Sequence, residues 1–194
     1  MMPYDDIKSL LKKRLTEKRC YHSLCVADAA RHLAEKYGAD ADKMYLAGLL
    51  HDITKNTSDN EQLKLFARFA IILTDVEKAS PQIWHAMSGA LYAEHELGIK
   101  DDDIISAIRY HTTAKRDMTL PQKIIYVADL ISADRDYGDV EIIRKEAEES
   151  LETAMLSILS FSVKNLIDRK LPVHPDTLDA YNYLMIERRN HGTF

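Results

Sequence analysis

The sequence is poor in cysteine and has no excess of positive charge, and each shortage excludes a class of protein. Its two cysteines, Cys20 and Cys25, form no CxxC pair, so neither a zinc ribbon nor a disulfide framework is indicated among the 194 residues. The 26 lysines and arginines are outnumbered by 31 aspartates and glutamates. The resulting net charge of −5 argues against a nucleic-acid polymer as the partner.

Long apolar runs and structure-breaking residues are also scarce. No apolar run approaches the roughly 18 residues of a membrane span, and the N-terminus is polar at once, so we expect a cytoplasmic protein without a membrane partner. There are only six glycines and five prolines, and no segment alternates as a strand would. Apolar residues instead recur at helical spacing, which predicts an all-α helical bundle. We expect one domain over residues 1–194, with a core at about 18–135 and C-terminal helices at 139–189 packed on it.

Capping signals place the ends of the predicted helices. Gly38 is the usual left-handed residue after a helix end, Asp40 caps the next helix, and Ser58 with Glu61 has capping-box spacing. A loop is expected between residues 73 and 81. The predicted helices cover about residues 4–15, 18–37, 40–52, from 58 onward, 81–97, 101–111, 121–134, 139–170 and 176–189.

An ordered set of histidines and aspartates lies on different predicted helices. The set comprises His22, His51 with Asp52, His85, His111 and Asp129. Because the helices of a bundle can bring such side chains to one centre, the set predicts a metal site. Imidazole and carboxylate ligands suit Fe, Mn, Co, Ni or Zn, and the absence of thiolates disfavours a structural zinc site.

Plainer interpretations are open for individual residues. His51 and Asp52 could form an ordinary polar helix end. Asp129 lies in the apolar segment at 124–130, where a lone buried carboxylate is costly, so a salt bridge, for instance with Arg109, is the alternative to a metal. Lys55 lies one helical turn beyond His51 and Asp52 and could extend toward them, or it could be a solvated surface lysine.

The order and local context of these residues resemble the HD-domain superfamily of metal-dependent phosphohydrolases. Within it they resemble the YqeK family, whose members hydrolyse diadenosine tetraphosphate symmetrically to two ADP. Ser132 and Ala133 depart from the Glu-Pro that the family usually carries before Arg135, and Cys25 and Ala114 stand where Gly is common. The resemblance extends from about residue 4 to 182. The segments that carry it are residues 19–24, 49–55, 83–86, 107–112, 126–131, 134–137 and 171–175, together with Thr177.

The resemblance implies roles for the residues of a candidate active site. It implies one or two divalent transition-metal ions, iron in the first place and Mn, Co, Ni or Zn otherwise. The implied metal ligands are His22, His51, Asp52 and Asp129, with His85 and His111 for a second ion. The implied catalytic residues are Asp52, Lys55, His85 and His111. The implied substrate-binding residues are Arg19, Lys55, His85, His111, Thr112, Arg135, Pro172, Val173, His174, Pro175 and Thr177.

The implied function is a metal-dependent phosphoric anhydride hydrolase that acts on a small nucleotide, diadenosine tetraphosphate. An HD centre does not by itself set the substrate, so a nucleotidase or a cyclic-nucleotide phosphodiesterase is an alternative enzyme. The alternative outside enzymes is a nucleotide sensor that binds without turnover. The composition does not predict an oligomeric state. Exposed apolar helix faces would favour a homodimer.

Overall fold

Helices account for the regular structure of residues 3–192, the part of the chain that the computed structural model describes. No strand occurs among these residues, which confirms the all-α prediction. In the same range, no helix is long and apolar enough to cross a membrane. The helices are α1 (Tyr4–Arg14), α2 (Glu17–Tyr37), α3 (Ala41–Leu50), α4 (Asp59–Arg68), α5 (Asp75–Lys78), α6 (Trp84–His95), α7 (Asp102–Tyr110), α8 (Leu120–Ile131), α9 (Val140–Glu149), α10 (Leu151–Asp168) and α11 (Pro175–His191), with a 3₁₀ turn at Pro81–Ile83 before α6.

Local capping chemistry sets several helix ends where the sequence predicts them. Gly38 adopts the left-handed conformation with φ 77° and ends α2. The side chain of Asp40 accepts hydrogen bonds from the backbone at Asp42 and Lys43 and starts α3. Ser58 and Glu61 form the expected reciprocal capping box at α4. These ends matter for the site, because α2 and α3 carry its first residues.

Helix α3 lies at the centre of the fold. Its residues 44–50 are buried, and it packs against α1, α2, α7 and α8. Gly48 permits a close approach to α2, since a Cβ at this position would lie 2.6 Å from the Cα of Ala27. Because α2 carries His22 and α3 leads into His51, this contact brings two histidines of the predicted set together.

The structure corrects three boundaries. The predicted loop at 73–81 contains the short helix α5, started by a capping box of Thr74 and Glu77. The predicted stretch at 139–170 is two helices, because the backbone is extended at Ser150 (φ −156°, ψ 126°) and its side chain caps α10. Helix α8 ends at Ile131, and the chain turns away at Ser132. The domain bounds of 1–194 stay a prediction, and residues 1, 2, 193 and 194 lie outside the described residues.

Candidate metal centre

The predicted histidines and aspartates meet in one buried centre. The four histidines and Asp52 are each at most 3 % exposed. The neighbours His51 and Asp52 both face the centre because α3 ends at Leu50 and the chain turns there. The elements that supply the set are α2 with His22, the end of α3 with His51 and Asp52, the start of α6 with His85, the end of α7 with His111 and the end of α8 with Asp129.

Two groups within the centre could each hold a metal ion, and both contain His51. In the first group, Nε2 of His22 is 2.9 Å from Oδ1 of Asp129, and Nε2 of His51 is 4.0 Å from the same oxygen. In the second group, Nε2 of His51 is 3.5 Å from Oδ2 of Asp52, and Nε2 of His111 is 3.7 Å from Oδ1 of that carboxylate. The four predicted ligands are therefore divided between two groups, with His111 as a further member.

His85 lies at the edge of the second group. Its Nε2 is 3.1 Å from Oδ1 of Asp52 and 3.1 Å from Nε2 of His111. Burial lowers the pKa of His85 to about 4, so the ring is neutral at neutral pH. A neutral imidazole at this place can act as a metal ligand or accept a proton at Nε2.

The orientation of three histidines tests whether the centre fits a metal. Nδ1 of His51, His85 and His111 lies 2.6, 2.9 and 2.7 Å from the backbone carbonyl three residues earlier. A carbonyl oxygen only accepts, so each Nδ1 carries a proton and each neutral ring presents the lone pair of Nε2 to the centre. Nε2 of His51 is buried without a hydrogen-bond partner. An unpartnered nitrogen that faces two carboxylates fits a bound cation, so the residues present fit a divalent metal.

The electrostatics show the same preference for positive charge. Burial alone would raise the pKa of both carboxyl groups, but His51 and His111 hold the pKa of Asp52 well below its usual range. His22 and His51 do the same for the pKa of Asp129. Burial alone would lower the pKa of His51, yet the two carboxylates raise it. The two ionised carboxylates thus favour a positive charge at the imidazole of His51.

Two predicted arginines pair with the two carboxylates. Nη1 of Arg19 donates to Oδ2 of Asp52 at 2.8 Å, and Nη2 of Arg135 donates to Oδ1 of Asp129 at 2.5 Å. The alternative partner of Asp129, Arg109, lies elsewhere, with Nη2 3.7 Å from Glu77. Asp129 therefore has a salt bridge as well as two histidine neighbours.

The third predicted cation, Lys55, lies beside His85. Its Nζ is 3.2 Å from each ring nitrogen of His85. Burial lowers the pKa of Lys55, and the nearby guanidinium of Arg19 acts in the same direction. Lys55 is half-buried at the centre, so the solvated-lysine interpretation does not describe it.

A cavity of about 310 Å³ adjoins the His85 and His111 end of the centre. Its wall includes Gln82, whose carbonyl accepts the hydrogen bond from His85, and Thr112, which follows His111. Val173 and Pro175 lie outside its lining. The predicted substrate-binding residues in the lining are Thr112, Pro172, His174 and Thr177.

The sequence reasoning missed two carboxylates beside the site. Oε1 of Glu77 lies 3.7 Å from Arg109 and 3.6 Å from Nε2 of His174. Its available signal was the capping-box spacing with Thr74, on the short helix α5. Oδ2 of Asp134 lies 2.8 Å from Nδ1 of His22, a pairing between distant parts of the chain that no local pattern marks.

The sequence profile of the HD domain matches residues 19–134, which contain all the histidines and aspartates of the centre, so the chain belongs to the HD-domain family. It is similar to the symmetrical bis(5'-nucleosyl)-tetraphosphatase of Halalkalibacterium halodurans, with 38% identity over 93% of this chain and 96% of the relative. The protein of the same name from Bacillus subtilis is 36% identical over 95% of this chain and 98% of the relative. These matches confirm the family expected from the sequence.

The fold has a solved relative as well. The crystal structure of a predicted HD superfamily hydrolase involved in NAD metabolism from Clostridium acetobutylicum has a TM-score of 0.94 and 36% identity to this chain. The match covers 96% of this chain and 99% of the other. The helical bundle around the centre is therefore the HD-domain fold.

Proposed function

We propose that the protein is a metal-dependent hydrolase that cleaves diadenosine tetraphosphate symmetrically to two ADP. The observation that carries the proposal is the buried centre in which Nε2 of His51 faces Asp52 and Asp129 without a hydrogen-bond partner. Relatives named for this activity, at 36% and 38% identity over nearly their whole length, support the substrate.

The proposed metal ligands are those with imidazole and carboxylate donors in the two groups. His22, His51, Asp52 and Asp129 would hold one ion, and His85 and His111 are available to a second. Iron is the proposed metal, and Mn, Co, Ni and Zn suit the same donors. When bound, a divalent ion lowers the pKa of a coordinated water and polarises the phosphoryl group.

The side chains of the centre would position the reacting groups. Asp52 is held ionised by its histidine neighbours, so its carboxylate can accept a hydrogen bond from the attacking water and direct the water toward phosphorus. His85 and His111 lie next to this carboxylate, where they would contact the phosphate or hold the second ion. Lys55, beside His85, would neutralise charge on the phosphate that is attacked.

The remaining cations would bind the rest of the polyphosphate. Arg19 contacts Asp52, and Arg135 contacts Asp129, so the two arginines lie at the two carboxylates of the centre. Together with Lys55 they give an acidic protein a local cluster of positive charge, which four phosphates require. The adjoining cavity would take one nucleoside, against Thr112, Pro172, His174 and Thr177 of its lining. Val173 and Pro175 belong to the same predicted substrate-binding segment but lie outside that lining.

The product pattern tests this proposal. Purified protein supplied with iron, manganese or cobalt should convert diadenosine tetraphosphate to ADP alone. ATP plus AMP as products, or no turnover with any of these metals, would contradict the proposal. Competition by deoxynucleotides or cyclic dinucleotides would point to the alternative enzymes, and tight binding with complete retention of the substrate would point to a sensor. A cytoplasmic location and a homodimer stay predictions.

A further inference from the structure

The turn at 132–135, which follows α8, contacts the metal centre from outside. Oδ2 of Asp134 lies 2.8 Å from Nδ1 of His22, and the other ring nitrogen of His22 lies 2.9 Å from Asp129. Arg135, the next residue, donates to the side chain and the backbone carbonyl of Asp129. One short turn therefore contacts two of the proposed metal ligands.

We infer that this turn, held in place by Arg144, is a positioning device that fixes His22 in the tautomer able to bind a metal through Nε2. The inference rests on the metal centre of the proposed function and does not depend on the substrate. Asp134 and Arg144 are positioning residues, because neither lies in the metal groups themselves.

Asp134 sets the tautomer by accepting a hydrogen bond. An ionised carboxylate only accepts, so Nδ1 of His22 must carry a proton to bind it. The lone pair of the neutral ring is then on Nε2, and Nη2 of Arg135, a group that only donates, lies 3.5 Å from that atom. Without Asp134, the proton could instead reside on Nε2 and bind Oδ1 of Asp129. That arrangement would satisfy both side chains and block the ligand atom.

Asp134 is itself fixed within the turn. The hydroxyl of Ser132 donates to Oδ1 of Asp134 at 2.7 Å, which leaves Oδ2 for His22. The same hydroxyl lies 3.3 Å from the carbonyl oxygen of Asp129. The carboxylate therefore has one defined orientation relative to α8.

Arg144 on α9 holds the backbone of the turn. Its Nε donates to the carbonyl of Ile131 at 2.9 Å, and its Nη2 donates to the carbonyls of Ser132 at 2.7 Å and Arg135 at 3.0 Å. Ile131 is the last residue of α8, and carbonyls at a helix end lack partners within the helix. The carbonyl of Ser132 also accepts from the backbone N–H of Arg135, so Arg144 adds a second hydrogen bond there. A planar guanidinium can bind three carbonyls at once, whereas a lysine ammonium lacks this fixed geometry.

The test compares variants of Asp134 with a control variant in an exposed pair of a carboxylate and a histidine, Glu148 and His32. Asp134→Ala should weaken metal binding by about 10- to 100-fold, the usual effect of losing a carboxylate behind a metal-binding histidine. Asp134→Asn should restore most of the affinity, because the amide oxygen still accepts from Nδ1. Glu148→Ala removes a carboxylate that lies 2.7 Å from the exposed His32 and should leave the affinity unchanged. The affinity is measured by competition between the protein and a chelating dye for Co²⁺ or Mn²⁺.

A second readout uses the protein without metal. Long-range ¹H–¹⁵N NMR spectra, recorded at a pH where the ring is neutral, should show His22 protonated at Nδ1 in the wild type and in Asp134→Asn. In Asp134→Ala the proton should move to Nε2. A purely structural contact would alter the unfolding midpoint without changing the tautomer.

Arg144 provides an independent arm of the experiment. Arg144→Lys should weaken metal binding severalfold, while Glu141→Gln, which removes only the exposed carboxylate partner of Arg144, should not. Wild-type affinity in both Asp134→Ala and Arg144→Lys, or an Nε2 proton on wild-type His22, would overturn the inference. A wild type that bound no metal would contradict the proposed metal centre. The tautomer of His22 in that metal-free protein would still show whether Asp134 fixes the proton on Nδ1.

Discussion

Nε2 of His85 and Nε2 of His111 lie 3.1 Å apart in a buried site, although both rings donate their Nδ1 protons to backbone carbonyls. As two neutral rings they would face each other with lone pairs, which is unfavourable. The pair therefore needs a proton or a cation between or beside the two nitrogens. The ammonium of Lys55, 3.2 Å from His85, supplies positive charge from one side, and a metal would supply it from the centre.

The first prediction concerns His51, the residue common to both metal groups. In His51→Ala the content of bound metal should fall more than about tenfold, because both groups lose a ligand. His111→Ala should retain at least one ion, since the group of His22, His51 and Asp129 stays intact. The measurement is metal content after reconstitution and desalting. His32→Ala, at an exposed position, is the control, and wild-type metal content in His51→Ala would refute the assignment.

The second prediction concerns the contact between α2 and α3. Gly48→Ala would place a Cβ 2.6 Å from the Cα of Ala27, so α2, which carries His22, and α3, which leads into His51, must move apart. We expect the free energy of unfolding to fall by about 1–3 kcal/mol, as for other overpacked cores. Urea unfolding measures the change. Gly138→Ala, where a Cβ meets nothing within 4 Å, is the control, and equal midpoints for the two variants would disprove the close contact.

The third prediction separates the two roles of Glu77. Glutamine at this position can still complete the capping box with Thr74, but it removes the negative charge near Arg109 and His174. Glu77→Gln should therefore keep the unfolding midpoint and kcat while raising the KM for diadenosine tetraphosphate about two- to fivefold, the scale of a weak ion pair. Steady-state kinetics measure the change. A loss of kcat at constant KM would contradict a role of Glu77 in holding His174 and the substrate-binding segment at residues 172–175.

The fourth prediction concerns the buried charge of Lys55. Lys55→Met keeps the apolar stem and removes the ammonium, so kcat/KM should fall about 10- to 100-fold, the range of a charge-assisted hydrogen bond. Lys64→Met on the exposed surface of α4 is the matched control. Unchanged kcat/KM in Lys55→Met would contradict a contact between the ammonium and the phosphate, and would leave its contact with His85 as its only role.

Local chemistry made much of the fold predictable from the sequence. Gly38 and Ser58 act through hydrogen bonds and backbone conformations within a few residues, so their helix ends could be located. Helix α5 was missed because four residues show no apolar periodicity. The break at Ser150 was missed because helical periodicity continues on both sides, with Ala147 and Leu151 both buried.

The centre was predictable as a set of residues but not as a set of contacts. The types and order of the histidines and aspartates indicate a metal site, whereas the pairing of each cation depends on how the helices pack. Arg109 was a reasonable partner for Asp129, yet α7 directs it to Glu77, and Arg135 takes its place from the turn after α8. The contact of Asp134 with His22 arises in the same way.

The central claim is that one buried metal centre performs a symmetric cut. The most direct measurement uses protein purified without oxygen, with its bound metal quantified and the products of diadenosine tetraphosphate followed for the wild type and Asp129→Ala. The account predicts bound metal and release of ADP alone in the wild type, with the metal content lowered and the release of ADP lost in the variant. ATP plus AMP as products, or a wild-type rate of ADP release from metal-free Asp129→Ala, would contradict it.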